Sequence, residues 1–156
     1  MNTETLRIQK LLKRNWEGPM WHGNTINETL KDISWEKAFK KPDGFSHNIY
    51  EYVKHMCCWR KFVLEYLKGN DTYSVEINSE TDWITKYEAN ELSWLEALNE
   101  LETSQNELVN AFGNFTDDRL EEKVPGKKFN WYVMIHGLVH HDIYHSAQIA
   151  ILKKPL

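Results

Sequence analysis

Apolar side chains recur along this chain every three or four residues, the period of helices with one buried face. Leu6, Ile8, Leu11 and Leu12 predict a first helix over residues 3–15. Ile26, Leu30 and Ile33 predict a second helical stretch, followed by a turn of helix over 35–39. Tyr52, His55, Trp59, Phe62 and Tyr66 then fall at spacings of 3, 4, 3 and 4. That is a continuous stripe on a helix running from an N-cap at Ser46 to about Lys68. Ser79, with Asp82 three residues on, resembles a capping box. From there Trp83, Tyr87, Trp94, Leu98, Leu101, Gln105, Leu108 and Phe112 trace a second long stripe. It predicts an amphipathic helix of about 30 residues, roughly 45 Å long. Between Glu80 and Glu107 eight acidic residues stand against one basic, Lys86, so the opposite face is solvated.

The last segment differs. Over residues 131–152 the only formally charged side chain is Asp142, and a helix apolar nearly all round is buried on several sides. Gly18-Pro19, Pro42-Asp43-Gly44, Gly69-Asn70-Asp71 and Pro125-Gly126 punctuate the chain between these segments. Thr72, Tyr73, Val75 and Ile77 could extend, but that stretch is too short to define a sheet. Long helices with short connections predict an all-α protein, an antiparallel bundle.

Size and charge narrow the classes. A chain of 156 residues with 41% apolar positions suits a single domain over residues 1–156. No run of 18 apolar residues exists to span a membrane, and the start lacks the basic-then-apolar order of a secretory signal. Cys57 and Cys58 are adjacent, which suits a reducing compartment, so a cytoplasmic location is expected. A net charge of −4 gives no electrostatic footprint for nucleic acid. Trp21, Trp59, Trp94 and Trp131 are therefore read as core rather than as base-stacking platforms. No GxxxxGK[ST], GxGxxG or HExxH motif occurs.

The histidines carry the candidate chemistry. On the final helix Met134, Leu138, His141, His145, Gln148 and Leu152 form a core-facing seam, two of whose members are imidazoles four residues apart. His55 occupies the middle of the Tyr52–Trp59–Phe62 seam on another helix. Residues at i and i+4 share a helix face, so both rings can reach one ion, and a third nitrogen from a facing helix completes a three-histidine set. Such a set leaves a coordination position free. Each buried neutral ring otherwise needs both a donor and an acceptor partner. His136 and His140 form a second i, i+4 pair, about 100° around the helix, and spacing alone leaves them in competition. His22 and His47 lie in or beside loops and read as capping or hydrogen-bonding residues. Cys58, three residues after His55, could lean toward the same site, whereas Cys57 points away.

The run His136-Gly137-Leu138-Val139-His140-His141-Asp142-Ile143-Tyr144-His145-Ser146-Ala147-Gln148-Ile149 resembles the signature helix of the DinB/YfiT-like family of metal-binding bundles. The segment from His47 to His55 ahead of Trp59 is similar to that family's other signature, and Gly18-Pro19-Met20-Trp21-His22-Gly23 to the opening loop of one branch. The resemblance implies a four-helix bundle, commonly dimeric, with His55, His141 and His145 binding zinc or nickel and His140 as a non-ligand. Ala147 stands where glycine is usual. Relatives include bacillithiol S-transferases and mycothiol-dependent isomerase relatives, in which the metal activates a low-molecular-weight thiol. The resemblance thus implies a metal-dependent transferase or hydrolase acting on a small molecule. Gln148 or Asp142 could orient the ligands, but Asp142 stands about 100° off the ligand seam and could instead pair with a lysine or arginine. A non-catalytic metal-binding stress-response bundle is the other reading, favoured if Cys58 supplies a fourth donor.

Overall fold

The computed structural model describes residues 3–154, and these form an all-α fold. Four long helices dominate: α1 (Thr3–Glu17), α4 (Ile49–Leu67), α5 (Glu91–Gly113) and α7 (Trp131–Leu152). Short helices α2 (Ile26–Leu30), α3 (Trp35–Phe39) and α6 (Asp117–Leu120) lie in the connections. α4 packs against α5 and α7, and α1 packs against the same two, so the long helices close into a ring. Three of the four long helices are preceded by an asparagine cap. The side chains of Asn48, Asn90 and Asn130 each accept the N–H of the third residue into the helix, from Glu51, Ser93 and Val133. α1 is capped from a distance instead, since Asp117 accepts the N–H groups of Glu4 and Thr5 at 3.1 and 2.8 Å.

Several expectations need correction. The cap of α4 is Asn48, not Ser46. The predicted 30-residue helix is shorter: α5 begins only at Glu91, and residues 79–90 form a turn-rich loop. The local reason is competition for the backbone. The Glu80 carboxylate accepts the N–H groups of Thr85 and Lys86 at 2.7 and 2.9 Å, and Asp82 accepts that of Asn78 at 2.9 Å. Trp83 and Tyr87 keep a helical spacing only by coincidence; the loop itself lays them against α4. Trp21 is 94% exposed and is no core residue, whereas Trp94 and Trp131 are buried. On α1 the buried apolar positions are Ile8 and Leu12, with Leu6 and Leu11 exposed.

α7 spans the expected residues but is not buried all round. Tyr132, Val133, Tyr144 and Ile151 are exposed and share, with His140 and Ala147, an outward arc of about 120°. Gly137, also in mid-helix, costs about 1 kcal/mol relative to alanine there. Nothing lies within 4 Å of where its Cβ would stand, so packing does not demand glycine.

The apolar core comes in two parts. One gathers Ile8, Leu12, Phe62, Leu108, Phe112, Trp131 and Leu138; the other gathers Ile26, Ile49, Val53, Met56, Trp94, Leu101, Ile149 and Leu152. Between them α4, α5 and α7 each contribute buried polar side chains, among them His55, Arg60, Ser104, Gln105, Asp142 and His145. This polar layer holds the site.

Candidate metal centre

Two helices are locked together at the polar layer. Arg60 of α4 donates from Nε to Asp142 Oδ2 of α7 at 2.9 Å, with Nη2 at 2.8 Å from the same oxygen. Arg60 is 0% and Asp142 1% exposed, and Arg60 also donates to the Leu101 carbonyl at 2.8 Å. A slip of α4 along α7 would leave these buried charges unpaired. That fixes His55 of α4 opposite His141 and His145 of α7, so that one ring nitrogen from each lies within 4.8 Å of the other two. Among the described residues these three form the one histidine, cysteine or carboxylate group able to hold a metal ion.

His55 is oriented from behind. Its Nδ1 donates to the Asp82 carbonyl at 3.0 Å and stands 2.9 Å from Asp82 Oδ1. The same carboxylate, itself buried, accepts Trp59 Nε1–H at 2.9 Å. Trp83 stacks on the His55 ring with centroids 3.8 Å apart, and His47 stacks on the other face of Trp83 at 3.7 Å. His47 Nδ1 lies 2.9 Å from Glu51 Oε2, while Tyr87 donates to Glu51 Oε1 at 2.6 Å. The loop before α5 is thus clamped onto α4, and His55 Nδ1 is held as the N–H. That leaves Nε2 as a bare lone pair facing the cluster.

His145 is treated alike: its Nδ1 faces Gln148 Oε1 at 2.6 Å, which makes it the donor and frees Nε2. His141 Nε2 lies 3.1 Å from His55 Nε2. Two nitrogens on a tetrahedral zinc stand roughly 3.3 Å apart, so the spacing fits a shared ion. His141 Nδ1 is buried without a hydrogen-bond partner and lies 3.8 Å from Asp142 Oδ1. Burial lowers the pKa of His55, and burial with repulsion from His141 and His55 pushes His145 down to about 4. Neutral imidazoles are the form that ligates a metal.

The shift has a consequence for the metal-free protein. An unfolded chain protonates His145 near pH 6.5 but the fold resists until about 4. The unfolded state therefore holds more protons in that window, and stability falls as pH drops from 6.5 to 4. Urea titrations of metal-free protein across that range should show this loss, and His145→Gln should flatten it. Equal slopes in both proteins would contradict the assignment.

Gln148 meets His145. Asp142 does not hydrogen-bond a cluster histidine; it pairs with Arg60 instead. Cys58 donates to the Thr81 carbonyl at 2.9 Å and is outside the cluster. His136 and His140 sit on the outward arc of α7, and His22 is exposed in the opening loop. Asp82 and Trp83 were legible only as helix positions; a lone acid 27 residues from the nearest histidine, in a loop, gives no local signal.

A cleft of about 510 Å3 opens onto the cluster, lined by Ser46, Tyr52, Ile77, Tyr144 and Gln148 together with the three histidines, His47, Trp59, Asn78, Asp82 and Trp83. It is of the size that holds a small molecule. A family model of the DinB superfamily matches residues 21–149, a span that includes all three histidines. The chain belongs to the DinB superfamily. No curated protein and no solved structure matches it significantly. In this DinB-superfamily chain the helix pair α4–α7 carries the site. The described residues include no helix long and apolar enough to cross a membrane.

Proposed function

We propose that the chain is a divalent-metal-dependent transferase or hydrolase acting on a small molecule, with His55, His141 and His145 as the ligands of zinc or nickel. The observation that carries this reading is the convergence of three imidazoles, two with Nδ1 already engaged, at the floor of an open cleft. An ion held by three neutral ligands keeps its full charge and supplies Lewis acidity, lowering the pKa of a thiol or water at its free position.

The chain's own residues have three tasks. Asp82 holds the His55 Nδ1 proton and so aims Nε2 into the cleft; Gln148 does the same for His145. Trp83 and Trp59 shield the cluster from bulk water. The cleft itself receives the substrate. A chain nucleophile is poorly supplied: burial pushes the Cys58 thiol up to about 11 and Cys57 to about 12, so both are protonated at neutral pH. This favours a nucleophile that arrives from outside, and a low-molecular-weight thiol of the bacillithiol type is the proposed cosubstrate. The non-catalytic reading wants a fourth protein donor, and Cys58 bonds elsewhere.

Zinc- or nickel-loaded protein should accelerate conjugation of 1-chloro-2,4-dinitrobenzene by bacillithiol or cysteine, relative to metal-free protein. Cleavage of 4-nitrophenyl acetate without thiol would select the hydrolase form. No metal-dependent rate with any of these would favour the non-catalytic bundle.

Asp82→Asn keeps the main-chain carbonyl that His55 Nδ1 meets and removes only the charge 2.9 Å away, so zinc affinity should fall by about tenfold, the low end of what an outer partner of a ligating histidine costs. A competition titration with a chelating dye reads this, and unchanged affinity would remove Asp82 from the account. The proposed assembly is a cytoplasmic homodimer, with the exposed Tyr132, Val133, Tyr144 and Ile151 of α7 as its contact arc. Sedimentation would report a monomer if that is wrong.

A further inference from the structure

Trp59 and His141 are shared by two openings. On one side is the polar cleft; on the other is a pocket of about 170 Å3 lined by Phe62, Val63, Phe129, Met134, Gly137 and Leu138. Phe62, Val63, Met134 and Leu138 are buried, Phe129 stands at the rim with 38% exposure, and the polar rings in the wall are His141 and Trp59, whose Nε1–H is already taken by Asp82. The pocket therefore offers no hydrogen bond except beside the cluster.

Gly137 makes the space. It lies four residues before His141, on the same face of α7, and glycine is an unfavourable choice in a helix interior. No neighbour excludes a larger residue, because nothing lies within 4 Å of an added Cβ. Gly137 is exposed, so the missing side chain leaves the pocket open over the backbone, in the wall it shares with His141. An apolar cavity of about 150 Å3 is enough to hold benzene.

We propose that this pocket receives an apolar substituent of the substrate, a small aromatic or branched aliphatic group of about six to eight non-hydrogen atoms, and that Gly137 sets its size. The direction of binding rests on the proposed metal centre, since the substituent's polar end would reach past His141 into the cleft. The pocket itself needs no metal. The substrate class is a small molecule with one compact hydrophobic end and one reactive polar end.

The probe is benzyl alcohol, titrated into metal-free and zinc-loaded protein, with the Met134 methyl and Trp59 indole resonances followed by NMR. Saturable shifts are expected in both forms. Gly137→Leu fills the pocket and should weaken binding about tenfold or more, and Gly137→Ala should weaken it less. Both variants should keep the wild-type helix signal, and the alanine form remains informative should the leucine form fail to fold. No saturable shift in the wild type, or wild-type affinity in both variants, would overturn the proposal. Zinc stoichiometry is read on the same samples, so a failed metal centre registers separately from a failed pocket.

Discussion

Asp142→Ala is expected to destabilise the fold by about 3–5 kcal/mol, the cost of leaving a buried charge without its partner. Arg60 would keep the Leu101 carbonyl and Ser104 Oγ, at 2.8 and 3.3 Å, but lose its only described carboxylate. It cannot escape to water from a fully buried position. Urea unfolding monitored by circular dichroism would measure the loss. Replacing both partners, Arg60→Met with Asp142→Leu, should cost far less than the single change, because a matched apolar pair carries no orphaned charge. If the single substitution were silent, the pair would not be what holds α4 against α7. The link to function is positional: His141 precedes Asp142 in sequence, so loosening the pair should also blur the register of His55 against His141.

The second large effect concerns the ligands. His145→Ala or His55→Ala should weaken zinc or nickel binding by more than about 100-fold, beyond what an outer partner costs. Two nitrogens remain in each variant, too few for the three-ligand set of a site with one open position. His140→Ala is the matched control, since His140 is exposed on the outward arc and should leave affinity unchanged. A loss in His140→Ala with retention in His145→Ala would move the site to the other i, i+4 pair.

Much of this was legible in the residues. The 3, 4 spacing placed His55 on the inward seam of α4 and His141 with His145 on that of α7, and both helices lie where the spacing put them. The three rings meet because two seams that bury apolar residues must face each other. What misled was the stripe at Trp83 and Tyr87. Aromatic side chains of a loop can bury at helical intervals as well as those of a helix, and here Glu80 and Asp82 divert the backbone N–H groups that a helix would use. The residues that orient His55 lie in that loop, so Asp82 and the Trp83 stack were beyond a periodicity argument. Asp142, off the ligand seam, was open to pairing with a lysine or arginine; the packing identifies that partner as Arg60, five residues after His55. Trp21 failed for the opposite reason, since an aromatic residue beside Gly18-Pro19 has no seam to join and remains in solvent.

His55, His141 and His145 are proposed to hold one divalent ion. Elemental analysis of the wild-type protein purified without an affinity tag, beside His55→Ala and His145→Ala, tests it most directly. About one equivalent of metal per chain is expected in the wild type, lost in both variants. A wild-type protein without metal that takes up neither zinc nor nickel, or variants that retain a full equivalent, would contradict it.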